Sequence, residues 1–255
     1  MSEAIGEKFV ERTKYRHMAG LSEQERGVAP PPVETARRDD AQTLDLPSPH
    51  LARPPATDFA GLVERRTSVR RYADAPICQD TLSYLLWCTQ GVKAVREKGM
   101  ATFGTRATFR MVPSAGARHA LETYLLANRV DGLNPGLYHY LPLRHQIEEV
   151  PTAPDLAAAV SQACLGQRFI LAAAVTFIWT AFAPRMCWRY KARGYRYLFL
   201  DAGHVCQNLY LAAESVGCGV CAVGAFDDDA MNALLAVDGR DEFVIYLATV
   251  GRKPS

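Results

Sequence analysis

Charge of one sign is what this chain has least of: 29 Lys and Arg against 27 Asp and Glu leave a formal +2 over 255 residues. A protein that grips nucleic acid or an anionic membrane through charge normally shows a strongly basic domain or stripe, so neither partner is expected. Long apolar runs are missing too. The most apolar stretch, residues 171–182, is far short of the roughly twenty residues of a membrane span, and Thr176 and Thr180 interrupt it. No glycine triplet of dinucleotide-fingerprint spacing joins a strand to a helix, and no internal repeat is found. Cys218 and Cys221 form a CxxC with neither a second CxxC nor a His at zinc spacing, so no metal site is expected and core packing is the simpler reading of the pair. The seven cysteines, at 78, 88, 164, 187, 206, 218 and 221, are odd in number, lie in apolar stretches and follow no secretory leader. A reduced, cytoplasmic compartment is the expectation.

What is present is the composition of a globular protein, 49% hydrophobic and 22% charged, long enough to bury a large core without a staple. Residues 1–56 differ from the rest. They carry seven of the fifteen prolines and mix nine acidic with eight basic residues around few large apolar groups, which describes an extended arm. Such an arm either stays disordered or wraps its own or a partner subunit.

From Thr57 the pattern is that of a packed α+β domain. Thr57 or Asp58 caps a helix reaching Glu64 and Arg65 with Phe59, Leu62 and Val63 on one face, and Asp80 caps a second running towards Gly91. Residues 121–140 read as a hairpin turning at "DGLNPG", 155–164 as a helix capped near Asp155, and 172–182 as a buried strand. Residues 195–217 form the longest helix candidate, apolar on most sides, which suits a core or an oligomer interface. His204 on it reads as a satisfied core histidine. A glycine-rich strand over 217–226, a helix whose start is capped by the aspartates 227–229, and a closing strand over 242–251 complete the domain.

Three segments could carry chemistry. In "RRTSVRR", Arg65, Arg66, Arg70 and Arg71 surround Thr67 and Ser68; guanidinium forks and short hydroxyls suit one phosphate group, although, taken alone, a solvated helix end with scattered salt bridges is the simpler reading of the segment. "PSAGARH", residues 113–119, exposes successive backbone N–H groups that a flat ligand could approach, or is an ordinary turn. In "GVCAVGAF", glycines 219 and 224 mark a bulge or a close approach by a ligand.

In this order, the segments resemble the FMN-dependent nitroreductase family and, within it, the SagB-type dehydrogenase branch. "ERRTSVRRY" at 64–72 is similar to that family's flavin-phosphate segment, "PSAGA" at 113–117 to its loop against the flavin ring, and "GCGVCAVGAF" from 217 to its glycine-rich strand beside the ring. The branch is indicated by "YRYLFLDAGHVCQNLYLAA" at 195–213, "GLYHY" at 136–140 and the closing "VGR" at 250–252, and the match spans residues 57–252.

The resemblance implies a three-layer α+β sandwich with a central, mostly antiparallel sheet, an FMN-binding domain over 57–255 behind the arm of 1–56, and an extensive homodimer with FMN in the groove between subunits. It assigns Arg66, Thr67, Ser68 and Arg70 to the phosphate and ribityl chain, Arg252 to the phosphate, Pro113, Ser114, Ala115 and Gly116 to one side of the ring, and Gly224 and Ala225 to N–H groups near N5. NAD(P)H is a candidate electron donor, and a small molecule or a peptide the substrate. The branch members that oxidise peptide azolines resemble one another in a Lys-Tyr pair before the "YR…DAGH" helix. Here the residues are Arg189, Tyr190 and Lys191, and because arginine stays protonated, Tyr190 or Lys191 would have to act as the base. No leader-peptide-binding domain is read in the chain, so peptide oxidation is expected to need a separate partner. Three functions follow: a flavin oxidoreductase first, a dehydrogenase of a peptide or natural-product azoline second, and a flavin-binding partner subunit without catalysis of its own third.

Overall fold

Largely apolar runs over 121–127 and 175–182, buried on both faces, build the centre of the fold, seen in a computed structural model that describes residues 4–54, 56–96 and 106–254. The strands are β1 Thr43–Asp45, β2 Val92–Arg96, β3 Ala107–Arg110, β4 Leu121–Ala127, β5 Gly136–Leu141, β6 Gln146–Val150, β7 Val175–Phe182, β8 Cys218–Val223 and β9 Glu242–Arg252. The helices are α1 Ile5–Arg12, α2 Phe59–Arg65, α3 Gln79–Gln90, α4 Leu156–Ala163, α5 Phe169–Ala172, α6 Ala183–Tyr190, α7 Gly194–Ser215 and α8 Asp228–Leu235.

Seven strands form one sheet in the order β1-β6-β5-β4-β7-β9-β8, every neighbouring pair antiparallel, while β2 and β3 make a separate hairpin. Period-two alternation splits the core between the sheet's faces. Leu121 and Leu125 of β4 with Phe177 and Trp179 of β7 pack towards α3 and α7; Tyr124, Leu126 and Ile178 pack towards α4, α5 and α8. The result is the α+β sandwich that the sequence led us to expect. Among the described residues, no helix is long and apolar enough to cross a membrane.

Several expected elements shift. The strand expected from 172 starts at Val175, because Phe169–Ala172 closes a helical turn first. Asp155 does sit at the cap of α4, but in a left-handed conformation (φ 60°) and without a side-chain cap bond; Asp227 caps α8 by accepting the Ala230 N–H at 2.9 Å. On α2, Leu62 is buried while Phe59 and Val63 face outward, and His204 is exposed on α7 rather than held in the core.

The arm is laid along its own chain. Its β1 extends the sheet beside β6, the Trp188 indole donates to the Val28 carbonyl at 2.9 Å, and buried Arg185 donates to the Pro32 carbonyl at 2.7 Å. Arg185 also donates to Glu122 at 2.7 Å, a carboxylate that accepts from the Thr35 backbone and hydroxyl at 3.0 Å. His139 lies between Glu122 and Glu148, and the Arg38 N–H donates to Glu148 at 3.1 Å. A buried charge is tolerable only when paired, and this network pairs several while tying down the arm. Pro55 lies outside the described residues.

Candidate active site

The segment after α2 runs extended against β8. The Val69 N–H donates to the Val220 carbonyl at 2.8 Å, and Ser68 bridges Val220. This crossing explains two glycines: a Cβ on Gly219 would lie 2.6 Å from the Val69 Cβ, and one on Gly251 2.8 Å from the Tyr72 ring. Gly219 is therefore required by a crossing strand of its own chain. Gly224 differs, since a Cβ there would meet only the Tyr246 ring edge at 3.8 Å, which leaves the exposed backbone of Gly224 and Ala225 approachable.

Tyr210 of α7 gathers this side of the site. Its hydroxyl accepts the Ala222 N–H at 2.9 Å and shares a hydrogen bond with the Ser68 hydroxyl at 3.0 Å, and the Arg66 guanidinium lies 5.4 Å from its ring centroid. Arg65 turns instead to Glu214 at 3.8 Å, a carboxylate already held by Lys253. Among the described residues, no carboxylate pairs with Arg66 or Arg70. Thr67 and Arg70 are exposed, and Arg252, the last residue of β9, is exposed with its Nε donating to the Pro76 carbonyl at 3.0 Å.

The second group is the loop before β4. Ser114 Oγ accepts the His119 N–H at 2.8 Å, and the Ala115 N–H donates to Asp201 Oδ1 at 3.3 Å. Gly116 takes φ 57° against the Tyr190 hydroxyl, where a Cβ would come within 2.5 Å. Asp201 is buried, and burial pushes its carboxyl above the usual range although the Ser114 hydroxyl and Ala115 N–H pull the other way. Tyr190 meets Tyr197 edge-on at 4.8 Å. Lys191 gives its ammonium protons to the carbonyls of Met18, Ala19 and Gly20 at 2.5 to 2.7 Å.

The two groups attach to α7 at Tyr210 and Asp201, nine positions and so about two and a half helical turns apart, which puts them on opposite flanks of the helix. One chain thus brings Arg66 and Ser68 together beside the strand that runs on to Gly224, and separately brings Ser114, Ala115 and Gly116 to Tyr190. Sequence reasoning missed Tyr210 and Asp201. Both sit in the quoted helix motif, but helical periodicity reports which residues are buried, not which loop a flank receives.

Cys218 and Cys221 lie three apart on β8 and so face opposite sides of the sheet, with Cys218 pushed up to about 11 by burial. That geometry suits packing.

The residues fit FMN. Among the described residues no carboxylate pairs with Arg66 or Arg70 and the buried Asp201 Oδ2 accepts no hydrogen bond; these cations and the nearby hydroxyls suit a phosphate, and backbone is approachable at Gly224.

The chain belongs to the nitroreductase family, whose model matches residues 63–252. A Methanocaldococcus jannaschii protein named as a nitroreductase is 37% identical over 192 residues, 75% of this chain and 89% of that one. The trifolitoxin-processing protein TfxB of Rhizobium leguminosarum bv. trifolii and the microcin B17-processing protein McbC of Escherichia coli are each 29% identical over 133 and 118 residues. Those matches take in 51% and 42% of this chain but 36% and 41% of theirs. Among solved structures, an Anabaena variabilis protein named as a nitroreductase superposes with a TM-score of 0.77 at 25% identity, covering 97% of this chain and 46% of that one, so the match reaches into the arm. An FMN complex of a Desulfovibrio desulfuricans protein shares the fold, with a TM-score of 0.55 at 13% identity over 78% of this chain and 88% of that one.

Proposed function

We propose that this protein is an FMN-dependent oxidoreductase of the SagB-type branch, working as a homodimer. The observation that carries the reading is the gathering of Arg66 and Ser68 on Tyr210 beside the Ala222 N–H, with no carboxylate paired to Arg66 or Arg70 among the described residues. Arg66, Arg70 and Arg252 would neutralise a dianionic phosphate while Thr67 and Ser68 donate hydroxyls to it. The backbone of 113–116 from one subunit and of 224–225 from the other would line the two sides of the ring. Bound FMN supplies a two-electron carrier that exchanges hydride at N5. NAD(P)H remains the candidate donor, and in that reaction solvent supplies protons, so no side-chain base is required.

A second reading is favoured by the two processing proteins among the relatives: oxidation of an azoline in a peptide or natural product, which needs a group to take a proton from carbon. Lys191 is engaged by three arm carbonyls, so Tyr190 Oη, against Gly116, is the better placed of the two candidates.

The absorption spectrum of the purified protein tests both readings. Flavin bands, with FMN released on denaturation, are expected; a colourless protein that FMN does not reconstitute would overturn them. Tyr190→Phe then separates the two: nicotinamide-driven quinone or nitro reduction should stay within about twofold of wild type, whereas azoline oxidation should be abolished with flavin content intact. A protein that holds FMN but reoxidises it no faster than free flavin would instead be a partner subunit.

A further inference from the structure

Asp201 is the most buried unsatisfied acid beside the proposed site. It is 5% exposed, on the flank of α7 that receives residues 113–117. Its Oδ1 accepts the Ala115 N–H at 3.3 Å, and it is within hydrogen-bonding reach of the Ser114 hydroxyl, whose oxygen in turn accepts the His119 N–H at 2.8 Å. Its Oδ2 is buried and accepts no hydrogen bond among the described residues. A carboxyl with one oxygen unmet is a poor way to stabilise a fold, since leaving a buried polar atom without a partner costs free energy. The bonds it does make all go to one loop.

That loop needs holding. Gly116, Ala117 and His119 all have φ between 44° and 57°, a left-handed region in which only glycine is at ease. Three such residues in four would relax unless the surroundings over-determine them. Tyr190 covers the loop from α6, and Asp201 holds it from α7 at the Ala115 N–H.

We propose that Asp201 is the positioning residue of the flavin-facing loop: by holding the Ala115 N–H beside Ser114 it sets the height at which the backbone of 113–116 meets the ring. The proposal rests on the flavin reading above. It makes Asp201 act on the ring system alone, because the phosphate is served from the other group, around Arg66 and Tyr210.

The test is flavin binding by Asp201→Leu, Asp201→Asn and Ser114→Ala, each titrated with FMN and with riboflavin and each recorded as an absorption spectrum. Asp201→Asn keeps an oxygen for the Ala115 N–H, so its affinities and spectrum should stay within about threefold of wild type. Asp201→Leu removes the grip and should weaken FMN and riboflavin by the same factor, about tenfold for a lost hydrogen bond to a charged or buried partner, and should alter the shape of the flavin bands. Ser114→Ala should show the same pattern to a smaller degree, and carries the test if Asp201→Leu fails to fold. Wild-type affinity and spectrum in Asp201→Leu, or in Ser114→Ala where Asp201→Leu does not fold, would overturn the proposal, as would a loss confined to FMN, or an Asp201→Asn variant as impaired as Asp201→Leu. A wild-type protein that binds neither flavin would overturn the flavin reading itself and this proposal with it.

Discussion

At the scale of single residues, the site separates groups that hold charge from groups that hold shape. Arg66 belongs to the first: it lies over Tyr210 with no carboxylate among the described residues to answer its charge. A charge-assisted bond to phosphate contributes on the order of 1.5–3 kcal/mol, so Arg66→Ala should weaken FMN by roughly ten- to a hundredfold, while riboflavin, which has no phosphate, should lose far less. Fluorescence titration of both ligands measures the difference, and equal losses would show that Arg66 does not contact the phosphate. Gly219 belongs to the second kind, and here the residue type was readable but its reason was not. A glycine inside an apolar strand marks something close by, yet only the fold reveals that the neighbour is Val69 of the same chain rather than a ligand.

Whole elements were legible where a single period ran through them. The strands β4 and β7 and the helices α3 and α7 stand within a few residues of where their apolar spacing puts them. Helix α6 escaped because its inward positions include Arg185, buried among hydrogen bonds to Glu122, His119 and Pro32, so its pattern reads as polar. The arm escaped for the same reason: prolines and charges forecast an extended chain, but its anchors are backbone groups meeting Glu122, Glu148 and Arg185 far away in sequence. That anchoring has a pH dependence. Burial alone would lower the His139 pKa, but hydrogen bonds and charge from Glu122 and Glu148 raise it to about 9. Against burial, Arg185 and His139 hold Glu122 below the carboxylate range, while His139, Arg38 and the Arg38 N–H do the same for Glu148. A raised histidine stabilises fully below its ordinary 6.5, and the contribution is lost as pH climbs through about 9; depressed carboxylates stabilise above 4.5 and lose it as pH falls below. Thermal unfolding should therefore show a Tm that declines from pH 6.5 to 9, and faster proteolysis of the arm over the same range. His139→Gln, which cannot titrate, should flatten that alkaline decline. An equal slope in both proteins would remove His139 as its cause.

At the scale of the whole molecule, the two groups of the proposed site stand apart on one chain. Arg66, Ser68 and Tyr210 stand on one flank of α7, while Ser114, Gly116 and Asp201 stand on the other. Between those flanks the outward side of α7 exposes Phe199 at 55% and Leu200 at 59%, and α2 exposes Phe59 at 68%. Phe199 and Leu200, adjacent on α7, suit a contact face for the proposed dimer. A two-fold axis against this face would set one subunit's Arg66 group opposite its partner's Ser114 group, twice, since an isologous contact repeats every pairing. The arrangement can be tested without a structure of the dimer. Arg66→Ala damages one group and Gly116→Val the other, the latter by driving a side chain into the Tyr190 hydroxyl at a left-handed φ. Each variant alone should bind FMN poorly. Subunits exchanged at equal amounts should give mixed dimers in about half of all molecules, each with one site carrying both defects and one carrying neither, so about a quarter of the sites should recover wild-type affinity. Sedimentation should show two FMN per dimer for the wild type, and Leu200→Glu should give monomers that bind FMN weakly although Leu200 belongs to neither group. If both groups of a site came from the same chain, mixing would rescue nothing; a monomer holding stoichiometric FMN would exclude the shared site altogether.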